Sequence, residues 1–232
     1  MAGFHRGDKA MTGVSRAIGR FGILALALSG LAQAQIDVTT ERYDDARLGA
    51  NLQETQLTTT NVNSSTFGKL WSYTVNGQVY AQPLYVRNVA IAGGTHNVLY
   101  VVTMNDWVYA FDADSSADTP LLSVDLTTEV AGSRANTILE ILGYNDNIIG
   151  NVGIESTPII DLATNTMWLV ARTYEDENSE SHGCIPPSPG PDPTPNKAFC
   201  QRLHALDITT LAEKPNSPVI LGGILLSVGL HF

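Results

Sequence analysis

The feature that most constrains this chain is a phrase said twice. Gln82-Pro83-Leu84-Tyr85 answers to Thr157-Pro158-Ile159-Ile160, Leu99-Tyr100-Val101-Val102 to Met167-Trp168-Leu169-Val170, and Tyr109-Ala110-Phe111-Asp112 to His204-Ala205-Leu206-Asp207, in the same order. Each copy holds short runs of apolar, β-branched and aromatic residues bounded by turn formers, which reads as strands. A recurring unit of several short strands cannot bury its apolar faces alone, so neighbouring copies must stack. That predicts an all-β molecule built as a β-propeller or a related array of four-stranded antiparallel sheets, with about two such blades in this chain.

Within the first copy, Asn105-Asp106 separates two apolar runs and predicts a hairpin. Asp112 closes the second run, where its carboxylate can accept a backbone N–H two residues on and start a turn. The first blade is expected over about 69–130, with strands Gln78 to Val86, Val98 to Met104, Trp107 to Asp112 and Leu121 to Leu126. The second is expected over about 150–226, with strands Ile154 to Ile160, Met167 to Thr173, Gln201 to Asp207 and Val219 to Leu226. A leader, 35–68, precedes both.

The copies differ in one hairpin. Where the first has a two-residue break, the second carries an insertion, 175–200, with prolines at 186, 187, 189, 191, 193 and 195. Proline cannot donate to a ladder and favours extended polyproline backbone, so the insertion is expected to project from the sheet. Cys184 and Cys200 stand near its ends and form the disulfide candidate, against the alternative of two unpaired thiols. Fifteen residues lie between them, and closing a loop of that size is worth about 3 kcal/mol in the chain-entropy view. Glu175, Asp176, Glu177 and Glu180 read as a solvated acidic run beside the prolines.

The first 34 residues do not belong to the core. Arg6, Lys9, Arg16 and Arg20 precede an apolar stretch, Phe21 to Leu31, which is followed by Ala32-Gln33-Ala34. That is the order of a secretory signal peptide with cleavage before Gln35. Eleven apolar residues fall short of the about 20 that a spanning helix needs. Cleavage removes four basic residues and one acidic residue, taking the formal charge from −10 to −13. An acidic mature chain repels phosphate backbones and anionic lipid, so neither nucleic acid nor a membrane surface is expected as partner. The expected location is periplasmic or extracellular.

The stretches YDDARLGANLQETQLTTTNVNSSTFGKLWSYTVNGQVYAQPLYV, THNVLYVVTMNDWVYAFDAD, GIESTPIID and QRLHALDITT resemble the N-terminal part of secreted bacterial propeller proteins with pyrroloquinoline-quinone-like repeats, within the quinoprotein alcohol dehydrogenase-like superfamily. The likeness spans roughly residues 40 to 220. It implies a propeller of about eight blades in larger members. Quinone-dependent dehydrogenases of that superfamily hold the quinone in a central funnel with an adjacent cysteine pair, a calcium ion and an aspartate base. Cys184 and Cys200 are not adjacent, and no residue here matches those ligands. Pyrroloquinoline quinone and calcium are thus implied by fold analogy alone, and no cofactor-binding residue is assigned.

Other motifs add little chemistry. Asp112, Asp114, Ser116 and Asp118 have the odd spacing of a calcium loop, but Ala117 takes the place of the turn glycine and Ser123 that of the closing glutamate, so a turn is expected. His5, His96, His182, His204 and His231 include no pair at metal-ligand spacing. Trp71, Trp107 and Trp168 read as packing between sheets. No catalytic residue and no metal ligand is assigned on this reading. What is expected is an exported non-catalytic propeller module that binds protein or polysaccharide or acts as a scaffold, a truncated member of its family that self-associates when expressed alone. The alternative is a fragment of a quinone-dependent oxidoreductase acting on alcohols or sugars.

Overall fold

The computed structural model of the chain describes residues 36–43, 46–129, 133–138, 147–176 and 197–221. The expected signal peptide, 1–34, and Cys184 lie outside them. Among the described residues no helix is long and apolar enough to cross a membrane.

The described structure is all-β, two antiparallel sheets and one four-residue 3-10 helix. The first sheet is a meander of four strands in chain order, β1 (Leu84–Ile91), β2 (Gly94–Val102), β3 (Trp107–Asp112) and β4 (Leu122–Asp125). Its first strand sits later than expected: 78–83 is not strand, and β1 runs on to Ile91. The reason is the turn that follows. Ala92 and Gly93 both take positive φ, 52° and 79°, the pairing of left-handed residues that lets a two-residue loop follow the twist of its strands. The next hairpin spans 103–106, closed by the Thr103 N–H on the Trp107 carbonyl at 3.0 Å, with Asp106 left-handed. A 3-10 turn, Leu126–Glu129, leads out of β4.

The second sheet has six strands. Its spine is β8 (Thr166–Asp176) paired with β9 (Lys197–Asp207), flanked on the far side of β9 by β10 (Val219–Ile220). On the other side, β8 pairs β7 (Ile159–Asp161) along its beginning and β5 (Arg134–Thr137) near its end, and β5 carries β6 (Asn151–Val152). Strands β7 to β10 therefore repeat the four-strand meander, and β5 and β6 add to it. The repeat holds residue by residue. Tyr100 faces Ala110 and Val98 faces Asp112 in the first sheet, while Trp168 faces Ala205 and Thr166 faces Asp207 in the second.

Alternation along each strand sends side chains to opposite faces. From the first sheet, Val98, Tyr100, Val102, Val108 and Ala110 join Met167, Leu169, Ala171 and Leu206 of the second in one buried cluster between the sheets. The Tyr100 hydroxyl donates across it to the Ile208 carbonyl at 2.7 Å. On the first sheet's other face, Val101, Tyr109 and Phe111 pack under Tyr73 and Val75, and the Tyr73 ring stacks on Phe111 at 4.4 Å. The segment around Val38 reaches β1 and β7, one strand of each sheet: it bridges Tyr85, Arg87 binds Asp37, and the Ile160 N–H donates to Thr39 at 2.8 Å.

The insertion is narrower than 175–200. The β8–β9 ladder continues to Asp176 and Lys197, so both ends of that stretch are strand, and residues 177–196 lie outside the described residues.

Candidate functional site

The structure gathers one cluster of ionisable groups at the junction of the two sheets. Glu129 ends the 3-10 turn leaving the first sheet, His204 lies in the middle of β9, and Glu213 follows β9 in a loop held to Leu206 by a β-bridge. Strand alternation turns His204 inward beside Leu206, on the face that meets the first sheet, and only 2% of its side chain is exposed. Its Nδ1 lies 2.5 Å from Glu213 Oε1 and 3.5 Å from Glu129 Oε1. Burial works against the imidazolium, but hydrogen bonds and charge from the two carboxylates outweigh it and raise the His204 pKa to about 9. Glu213 is shifted the other way: burial raises it, and the His204 hydrogen bond overcomes that. Its Oε2 is sealed from solvent with no hydrogen-bond partner in good geometry, although Ser217 stands near.

Asp106 lies in the β2–β3 turn at the same junction and is fully buried. Its main chain is well used, since the Leu126 N–H donates to its carbonyl at 3.0 Å. Its carboxylate is not: neither oxygen meets a hydrogen-bond partner, and the Arg172 backbone N–H only leans toward it. Burial pushes this carboxyl up to about 8, against the pull of Arg172 and His204. Gly153 backs directly onto it, because a Cβ there would stand 2.5 Å from Asp106 Oδ1 and 2.6 Å from the Met104 carbonyl. Asn136, also fully buried, leaves both amide atoms without a partner.

A second polar knot closes the far end of the same sheet face. Arg202 on β9 binds Glu175 on β8 and donates to Thr173 Oγ1 at 3.0 Å, and Thr173 Oγ1 donates to Glu175 Oε1 at 3.0 Å. Glu175 is therefore no part of a solvated acidic run: it is a fully buried ion-pair partner. Glu177 and Glu180 lie outside the described residues. Cys200 is a correction of the same kind. It sits within β9, buried, with Sγ 3.4 Å from Glu175 Oε2, not in a loop clear of the core. Its sulfur is in a disulfide. The partner expected from the sequence, Cys184, is outside the described residues, and the pairing of the two stays a proposal.

The remaining residues singled out by sequence are dispersed. Asp112, Asp114 and Asp118 do not converge: they bind His96, Asn97 and Thr74 respectively. Trp71 donates its indole N–H to Tyr73, and Trp107 stacks on Tyr109 at 5.6 Å, so both belong to the packing on the outer face of the first sheet. Trp168 stands in the open, on the second sheet's outward face. The Glu129, His204 and Glu213 group was invisible in the sequence because its members come from three elements up to 84 residues apart. The only local signal is that His204 falls where the other copy has Tyr109. Compared with family models, curated proteins and solved structures, the chain matches none.

Proposed function

We propose that this chain is an exported, non-catalytic module of the β-propeller type with quinoprotein-like repeats, whose two meanders are consecutive blades and whose task is to bind or scaffold through stacked sheets. The observation that carries this reading is the way the copies stack. The Tyr100 face of the first sheet is covered by the Met167 face of the second. The second sheet's own counterpart of the Tyr100 face carries Trp168, and there Ile159, Trp168 and Val219 are 51%, 43% and 51% exposed. Such an arrangement is heterologous: each sheet offers one face and receives another, so it extends until something closes it. At the other end, Tyr73 and Val75 already cover the first sheet. The occupant that fits the open face is a further sheet of the same kind, in this protein or in a partner.

The test is association. Purified full chain should bind a partner bearing such a sheet, or run above monomer size, and Trp168→Lys should weaken that binding. It should not reduce a dye when given pyrroloquinoline quinone, calcium and an alcohol or sugar. A monodisperse monomer that is indifferent to Trp168→Lys would defeat the binding reading, and quinone- and calcium-dependent turnover would establish the oxidoreductase instead.

A further inference from the structure

We propose that Glu129, His204 and Glu213 form a binding site for one divalent transition-metal ion of the zinc class, which ties the exit of the first sheet to the second. The three donor atoms, one imidazole nitrogen and two carboxylate oxygens, all lie within 4.8 Å of one another. Ions of this class bind nitrogen and oxygen at about 2.0–2.2 Å, so ligand atoms around one ion stand roughly 3.2–3.5 Å apart. The Glu129 to His204 separation, 3.5 Å, already has that value, and the Glu213 to His204 separation, 2.5 Å, reaches it by opening about an ångström. An imidazole in the set favours zinc, copper, iron or nickel over calcium and magnesium, which prefer oxygen alone.

Three further observations point to a ligand here. Glu213 Oε2 is sealed from solvent beside the imidazole with no hydrogen-bond partner in good geometry, Ser217 standing near. Asp106 is fully buried at the same junction, with neither carboxyl oxygen meeting a hydrogen-bond partner in good geometry. The group also breaks the repeat. Tyr109 occupies the equivalent position in the first sheet and serves an aromatic stack there, so His204 is not a requirement of the blade itself. Glu129 and Glu213 keep about a quarter of their side chains in solvent, which gives an ion an entry side and leaves room for water to complete three protein ligands.

Calorimetric titration of the chelator-treated full chain with Zn²⁺ should show one site per chain, and Co²⁺ bound there should show visible d–d bands of a nitrogen and oxygen environment. Glu129→Gln alters a partly exposed residue at the end of a short turn and should weaken binding at least about tenfold. Glu129→Gln combined with His204→Gln should abolish it. Should the His204 variant not fold by circular dichroism, Glu129→Gln with Glu213→Gln carries the same expectation. Absence of Zn²⁺ binding at millimolar concentration would overturn the proposal. So would one-site binding unchanged in these variants, which would place the ion on other histidines and leave the group a metal-free ion pair.

Discussion

At the scale of the residue, Asp106 sits where its chemistry is least comfortable. Its backbone is the corner of a hairpin and an anchor for Leu126, while its carboxyl is sealed against Gly153 without a hydrogen-bond partner in good geometry. In the unfolded chain this group titrates near 3.8, and in the folded one near 8. Between those values the folded state holds one more proton than the unfolded state, so stability falls as pH rises through that window, by up to about 1.4 kcal/mol per pH unit, and levels off above it. Asp106→Asn should remove this slope and raise stability at pH 7, read from urea denaturation between pH 4 and 8. An unchanged slope would mean that the carboxyl is ionised in place. Glu175 presents the opposite balance. Its charge is buried but bound by Arg202 and Thr173. Glu175→Gln should cost about 3–5 kcal/mol, the usual penalty for breaking a buried pair from one side. Loss of less than about 1 kcal/mol, the level of an exposed pair, would show that water reaches the site.

At the scale of the element, strand ends and turns decide how the sheets meet. Asp112, Asp125, Asp161 and Asp207 each close a strand, and each accepts the backbone N–H two residues on, at 3.0, 3.0, 2.9 and 2.8 Å. This was readable in the sequence for Asp112, because such a turn needs only a local aspartate. Gly153 was not readable. Its role depends on the β2–β3 turn, some fifty residues earlier in the chain, coming within contact distance. A methyl group there would meet both the Asp106 carboxylate and the rigid Met104 backbone. Gly153→Ala should therefore destabilise by about 1–3 kcal/mol, the usual range for overpacking, and should shift resonances of the 103–106 turn as well as its own neighbours. A change confined to residue 153 would mean that the turn moves aside without cost.

For the whole molecule, the consequence of two stacked sheets is an unequal pair of outer faces. The first sheet's is covered by Tyr73 and Val75, and the second's exposes Ile159, Trp168 and Val219. Hiding apolar surface yields about 25 cal/mol per Å², so covering a few such side chains is worth several kcal/mol against a domain stability of similar size. Replacing Ile159 by Lys, on the edge strand of the open face, should lower self-association and hydrophobic-dye binding while leaving the melting temperature within a few degrees. The same change in Met167, which faces the first sheet in the buried cluster, should unfold the chain. Equal effects of the two substitutions would show that the faces are not distinguished in solution.

The sequence by itself determined the class of structure and the repeat. Alternation of apolar residues, punctuation by glycine and aspartate, and the recurring order of segments are local properties, and they mark the strand segments that recur, whereas the Tyr100–Ala110 and Trp168–Ala205 register came from the structure. It misplaced what depends on reach. The first strand was set too early because the left-handed Ala92-Gly93 turn, not the Gln78 region, fixes the hairpin, and Glu175 and Cys200 were assigned to a loop because acidic residues and flanking prolines read as solvent-exposed. Only tertiary structure could seal Glu175 against Arg202, press Gly153 onto Asp106, and bring Glu129, His204 and Glu213 together. Burial and charge coupling act over a few ångströms in space, and residues that share such a neighbourhood need share none along the chain.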